Sequence, residues 1–184
     1  METAGQEKTK KPAVFLDRDG VLTEEKSYVT CMRELNIFPY AAECVRKIHE
    51  KGYYAIVVTN QSGVARGLFT EDELKEMNAY LIGQTGADAV YYCPHHPEGK
   101  VEAYRKQCRC RKPETGMIER ACREFAIDME HSYMVGDRAG DILAGKNAGL
   151  KTVLVESGYG TARLEREVTA DHVMEDLREL MEIL

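Results

Sequence analysis

Short apolar runs punctuate the chain: Ala13-Val14-Phe15-Leu16, Tyr54-Ala55-Ile56-Val57-Val58, Ala89-Val90-Tyr91-Tyr92, Tyr133-Met134-Val135 and Thr152 to Val155. Each has strand length and little polar interruption, the pattern of a strand buried on both faces. Polar residues stop several of them: Asp17 after the first, Thr59-Asn60 after the second and Gly136-Asp137 after the fourth. Between the runs the period changes. Ala41, Val45 and Ile48 recur at helical spacing with Gly52 as a stop, and Thr70 with Glu73 forms a capping box ahead of Leu74, Met77 and Leu81. Further helices are predicted around Ile118, Cys122 and Phe125, from about Ala139 to Ala148, and from Met174 to Leu184. Strands alternating with helices predict an α/β, Rossmann-like parallel sheet with helices on both faces. Ligands then bind at the carboxyl ends of the strands. The segment from Cys93 to Cys110 has no clear period and reads as an insertion held by something other than a core. A chain of 184 residues is expected to form a single domain, 1–184.

Charge and cysteine placement narrow this picture. The chain carries 25 basic and 31 acidic residues, a net charge of −6, with no basic run beyond Lys8, Lys10 and Lys11, so nucleic acid is not an expected partner. No apolar stretch approaches the roughly 20 residues that span a bilayer, and the polar start from Met1 to Lys11 lacks a signal peptide's apolar centre. A soluble, cytoplasmic monomer without membrane partners is expected. Cys93, Cys108 and Cys110 cluster beside His95 and His96, whereas Cys31, Cys44 and Cys122 are scattered and read as packing residues. That clustering suggests a metal site in a reducing compartment rather than disulfides.

Candidate chemistry lies at the strand ends. Asp17-Arg18-Asp19-Gly20 sets two carboxylates two residues apart, where one can attack phosphorus while the other handles protons; a loop holding a structural ion is the plainer alternative. Thr59-Asn60-Gln61-Ser62-Gly63 offers hydroxyl, amide and backbone N–H groups to phosphoryl oxygens, and Lys112, after Arg111, offers fixed positive charge. Gly136-Asp137-Arg138-Ala139-Gly140-Asp141 adds oxygen ligands of the kind Mg²⁺ prefers, although Asp141 is also placed to cap a helix. Cys93-x-His95 and Cys108-x-Cys110 supply three thiolates and an imidazole, a closed tetrahedral set for structural Zn²⁺, with His96 as the alternative to His95. Such a site fixes the direction of Arg111 and Lys112, which follow it directly. His49, His131 and His172 are read as structural or surface residues on helices or their edges.

Taken together and in this order, over about residues 13–160, these segments resemble the haloacid-dehalogenase superfamily of phosphatases. The resemblance implies Asp17 as nucleophile, Asp19 as general acid/base, and Thr59 and Lys112 as holders of the phosphoryl group. It also implies a Mg²⁺ site of Asp17, Asp19 through its backbone carbonyl, and Asp137, on a fold without a large cap domain. Cys-Pro-His-His-Pro-Glu-Gly, then Cys-Arg-Cys-Arg-Lys-Pro and Tyr-Met-Val-Gly-Asp, is similar to the D-glycero-D-manno-heptose 1,7-bisphosphate 7-phosphatases; the related histidinol-phosphatase domains have a shorter zinc loop. What this implies is hydrolysis of the heptose 7-phosphate through an aspartyl phosphate, with substrate contacts from Arg111, Asn60, Arg138 and the loop from Glu25 to Tyr28, and the loop Gly63 to Gly67 bordering the pocket. Val21 and Arg138 stand where that family usually has Thr and Lys, which bears on sugar preference. Histidinol phosphate or another sugar phosphate is the alternative substrate, and an inactive, zinc-stabilised binding module is the alternative of a different class.

Overall fold

The structure is a computed structural model that describes residues 9–164 and 167–184; Lys8, with most of the polar start, lies outside the described residues. The apolar runs form β1 (Ala13–Leu16), β2 (Tyr54–Asn60), β3 (Ala89–Cys93), β4 (Tyr133–Gly136) and β5 (Lys151–Val155). With β6 (His172–Met174) they make one parallel sheet in the order β3-β2-β1-β4-β5-β6. Leu16 lies opposite both Val57 and Val135, so β1 is central and the strand order reverses between β1 and β4. A crevice therefore opens at the carboxyl ends of these two strands, where Asp17 and Asp137 emerge.

The helices are α1 (Ala41–Glu50), α2 (Gly63–Arg66), α3 (Glu71–Thr85), α4 (Gly116–Glu124) and α5 (Ala139–Asn147). Strand residues alternate between the two faces. Val14, Leu16, Val57, Val135 and Val153 pack with Val45 and Ile48 of α1, Leu81 of α3, and Leu177 and Leu180 near the C-terminus. Phe15, Ile56, Val58 and Met134 pack with Met117 and Ile118 of α4. On this second face Gly145 brings α5 so close that a Cβ there would stand 2.7 Å from Met134 and Thr152. Phe15 has no solvent exposure; truncating a core Phe to Ala costs about 3–5 kcal/mol.

The capping box at the start of α3 forms as the pattern predicts, with the Glu73 amide donating to Thr70 Oγ1 at 3.2 Å and Glu73 Oε2 accepting from the Thr70 amide at 2.7 Å. Three elements differ from expectation. The stretch from Met174 to Leu184 is not an α-helix: Met174 closes β6, and a 3₁₀ helix follows over Leu177–Glu182. Three residues per turn put Leu177 and Leu180 on one face, so the tighter coil buries the same apolar spacing. His172 accordingly opens a strand rather than sitting on a helix. The loop Gly63 to Gly67 contains the short α2, stopped by Gly67 in the left-handed region. Among the described residues no helix is long and apolar enough to cross a membrane.

Candidate active site

Lys112 anchors the floor of the crevice. Its ammonium, almost fully buried, donates to Asp17 Oδ1 at 2.9 Å, Asp141 Oδ1 at 2.6 Å and the Val58 carbonyl at 2.7 Å. Burial opposes its charge, but Asp141 and Asp17 outweigh that and raise its pKa. Two bonds with Asn60 fix its backbone: the Lys112 amide donates to Asn60 Oδ1 at 3.0 Å, and Asn60 Nδ2 donates to the Lys112 carbonyl at 3.1 Å. Asn60, expected as a substrate contact, lines the cavity and clamps the segment that carries the lysine.

Carboxylate oxygens of Asp17, Asp137 and Asp141 gather within 4.8 Å of one another, all buried. Asp137 is seated by glycines: a Cβ on Gly20, whose φ is +85°, would meet Asp137 Oδ2 at 2.5 Å, and one on Gly158 at 2.1 Å. Asp137 Oδ2 accepts from the Tyr159 amide at 2.8 Å, while the buried Oδ1 has no hydrogen-bond partner and stands 3.8 Å from Arg138 Nε. A buried, orphaned carboxylate oxygen beside two more carboxylates fits a hard cation with oxygen ligands such as Mg²⁺. Burial and Asp141, partly opposed by Lys112, push Asp17 up to about 7; burial with Asp17 and Asp141 pushes Asp137 up to about 8. Asp141 caps α5, its Oδ2 accepting from the Arg138 amide, while its Oδ1 reaches Lys112 and so keeps the side chain among the three gathered carboxylates.

Asp19 keeps its side chain out of the acidic cluster. Its carboxylate pairs with the wholly buried Arg18 at 3.0 Å, and accepts from Gln61 Nε2 at 2.9 Å and Thr23 Oγ1 at 3.1 Å. Arg18 is braced in turn by Asn78 Oδ1 on α3 at 3.3 Å. Thr59 Oγ1, buried at the end of β2, also accepts from Gln61 Nε2 at 2.9 Å, so one amide holds both side chains.

These residues open into a cavity of about 310 Å³ whose rim includes Tyr28 and Arg111. Glu25 and Arg138 join each other across the rim, 2.7 Å apart, and Arg138 stacks on the Tyr159 ring at 4.2 Å. Arg111 Nη1 is buried without a partner. His49 and His131 pair with Asp88 and Asp128 at the surface. Gly63 and Arg66 of the loop expected to border the pocket do line it, whereas the sequence reading missed the roles of Arg18, Asn78 and Tyr159, whose contacts with Asn78, Arg18 and Arg138 join segments far apart in the chain and leave no local pattern.

Beside the cavity, at the end of β3, Cys93, His95, Cys108 and Cys110 bring one ligand atom each within 4.8 Å of the others. His95 is the histidine of this cluster; His96 lines the cavity instead. The sulfurs are 3.1–3.2 Å apart, and His95 Nδ1 is 3.5 Å from Cys110 Sγ and 3.7 Å from Cys93 Sγ. Metal–sulfur bonds of about 2.3 Å in a tetrahedron imply sulfur–sulfur edges of about 3.8 Å, so this donor set suits zinc after a small outward relaxation. The hydrogen bond shared with Cys93 pushes Cys110 down to about 5, while the same bond and burial push Cys93 up. The loop is tied down by Glu71 on α3, which accepts from the Tyr92 and Tyr104 hydroxyls at 2.8 and 2.7 Å.

A family model described as "HAD-hyrolase-like" matches residues 109–180. The chain is 40% identical over 178 residues to the D-glycero-beta-D-manno-heptose-1,7-bisphosphate 7-phosphatase of Haemophilus ducreyi, covering 93% of this chain and 97% of that protein. Against the protein of the same name from Escherichia coli (strain K12) the identity is 39% over 175 residues, covering 92% and 91%. A crystal structure of D,D-heptose 1.7-bisphosphate phosphatase from B. bronchiseptica, complexed with magnesium and phosphate, superposes with a TM-score of 0.78 at 31% identity, covering 94% of this chain and 97% of that one.

Proposed function

Because the chain belongs to the D-glycero-beta-D-manno-heptose-1,7-bisphosphate 7-phosphatase family of HAD-like phosphatases, we propose that it removes the 7-phosphate of that heptose bisphosphate through an aspartyl phosphate on Asp17. The observation that carries the reading is the Lys112 ammonium, which holds Asp17 and Asp141 at the floor of a cavity next to the orphaned oxygen of Asp137. A site that gathers buried carboxylates around one lysine and an open oxygen suits phosphoryl transfer, in which positioned charge does most of the work.

Asp17 attacks phosphorus with the carboxylate oxygen not engaged by Lys112; a bond forms between that oxygen and phosphorus as the bond to the sugar oxygen breaks. Asp19, held by Arg18 and Gln61 at the cavity wall, gives its proton to the departing alkoxide and then takes one from the water that attacks the aspartyl phosphate. Thr59 Oγ1 and the Lys112 ammonium hold phosphoryl oxygens, and Asn60 keeps Lys112 in place. Asp17, Asp137 and the Asp19 carbonyl, with Asp141 beside them, would hold Mg²⁺, which would supply positive charge against the transferring group. Arg111, Tyr28 and the Glu25–Arg138 pair border the sugar.

Cys93, His95, Cys108 and Cys110 hold structural zinc in this reading, supported by their crowding at one point. The chain acts as one phosphatase domain and a cytoplasmic monomer, with a phosphorylated sugar as its partner and neither nucleic acid nor membrane. Phosphate release with Mg²⁺ from the two anomers of heptose 1,7-bisphosphate and from histidinol phosphate tests this reading. The heptose bisphosphate is expected to be turned over best, and Asp17→Asn to abolish release. Preference for histidinol phosphate would overturn the substrate, and no release from any sugar phosphate would leave the binding-module reading.

A further inference from the structure

Asp17, one of the three groups that would hold Mg²⁺, is fixed by Lys112. The other two, Asp137 and the Asp19 carbonyl, leave the ends of different strands, β4 and β1. Both are met by Ser157, Gly158 and Tyr159, which follow β5 and belong to no motif in the sequence. Ser157 Oγ donates to the Gly20 carbonyl at 2.6 Å and so pins the chain one peptide beyond the Asp19 carbonyl. The same turn is closed from within by the Gly20 amide, which donates to the Thr23 carbonyl at 2.7 Å. The Tyr159 amide donates to Asp137 Oδ2 at 2.8 Å, and a Cβ on Gly158 would overlap that oxygen. Three successive residues thus bear on both ligands.

The loop is itself tied down. Leu154 of β5 lies opposite Gly136 of β4, so the chain that leaves β5 emerges beside Asp137. At its base the Glu156 amide donates to the Met174 carbonyl of β6 at 2.9 Å, and Glu156 Oε2 accepts from the Thr161 amide at 3.1 Å. Groups that hold a ligand from behind set its orientation and, through it, the affinity for the metal. Mg²⁺ depends on this more than Ca²⁺ does, because it demands near-ideal octahedral geometry whereas Ca²⁺ accepts irregular ligand sets.

We propose that Ser157 and Gly158 are positioning residues for the metal centre: the loop after β5 holds the Asp19 carbonyl and Asp137 at the separation Mg²⁺ requires, and so sets both the affinity for Mg²⁺ and its preference over Ca²⁺. The inference rests on the Mg²⁺ assignment in the functional reading above and deepens it. Neither residue lines the cavity that contains Asp17, so each acts through a ligand rather than on substrate.

Calorimetric titration with MgCl₂ and, separately, with CaCl₂ tests this without turnover in the native chain, Ser157→Ala and Gly158→Ala. Ser157→Ala is expected to weaken Mg²⁺ binding at least about tenfold, the low end of what losing a group behind a ligand costs. Ca²⁺ binding should weaken less, and Ser157→Thr, which keeps the hydroxyl, should restore most of the Mg²⁺ affinity. In phosphate-release assays the loss should lie in the Mg²⁺ concentration required and be recovered as the ion is raised. Gly158→Ala is expected to weaken Mg²⁺ binding further, because its Cβ displaces Asp137; should that variant fail to fold, Ser157→Ala, which removes one hydroxyl, still decides. Unchanged Mg²⁺ affinity in Ser157→Ala, or equal losses for the two ions, would overturn the proposal and leave the functional reading standing. A native chain that binds no Mg²⁺ would overturn both.

Discussion

Lys112 is the residue whose loss reaches furthest, because its ammonium separates Asp17 from Asp141 where almost no water reaches. Lys112→Met is expected to lower activity by at least about 10²-fold. Removing one partner from a buried ion pair also costs about 3–5 kcal/mol, which urea unfolding would measure. The same crowding sets a pH dependence. Asp17 and Asp137 are raised to about 7 and about 8, so the folded chain without Mg²⁺ keeps protons that the unfolded chain has already released. Their contribution to stability is present below the ordinary carboxylate range and is lost as pH rises through 7 and 8. Thermal melts in buffer lacking Mg²⁺ are expected to show a falling Tm over that window, and added Mg²⁺ to restore it most at the alkaline end. A Tm that rises there without Mg²⁺ would contradict this. Asp17 and Asp137 were legible in the sequence because each closes an apolar run, Asp17 directly and Asp137 after Gly136. The brace that Asn78 gives Arg18, and through it Asp19, was not, since it spans sixty positions and joins a strand end to the middle of a helix. Asn78→Ala is expected to lower kcat/KM about tenfold for an alkyl phosphate, whose leaving group needs the Asp19 proton, and much less for p-nitrophenyl phosphate, whose leaving group does not. Equal losses on both would make Asn78 merely structural.

At the scale of elements, the segment between β3 and α4 does what its lack of period suggested: side chains rather than an apolar face hold it. The Cys/His cluster grips its two ends, and Glu71 fastens its middle and its entry to α3 through Tyr104 and Tyr92. Since Arg111 and Lys112 follow Cys110 directly, loosening the loop is expected to disturb the catalytic lysine. Cys108→Ser should lose bound zinc, speed hydrogen exchange between residues 94 and 112, and lower kcat, while β1 and β4 stay protected. Metal analysis together with exchange measurements checks this, and a variant that keeps its zinc would sink the ligand assignment. The C-terminal stretch shows where pattern reading runs out. Apolar residues three apart suit a 3₁₀ helix as well as an α-helix, and β6 is too short for its alternation to register.

For the whole molecule, the sheet order is what brings the separate motifs together. The strand reversal between β1 and β4 places Asp17 beside Asp137, and the neighbouring β2 brings Thr59 and Asn60 to the same edge. The alternation of strands and helices foretold that edge but not the strand order, which no local period encodes. The central claim is that Asp17 carries the phosphoryl group, and trapping it is the most direct test. Enzyme quenched during turnover of heptose 1,7-bisphosphate with Mg²⁺, then reduced with borohydride, should show Asp17 converted to homoserine by peptide mass spectrometry. That conversion should be absent without substrate. Phosphate release with no homoserine at position 17, or with homoserine at another carboxylate instead, would contradict the account.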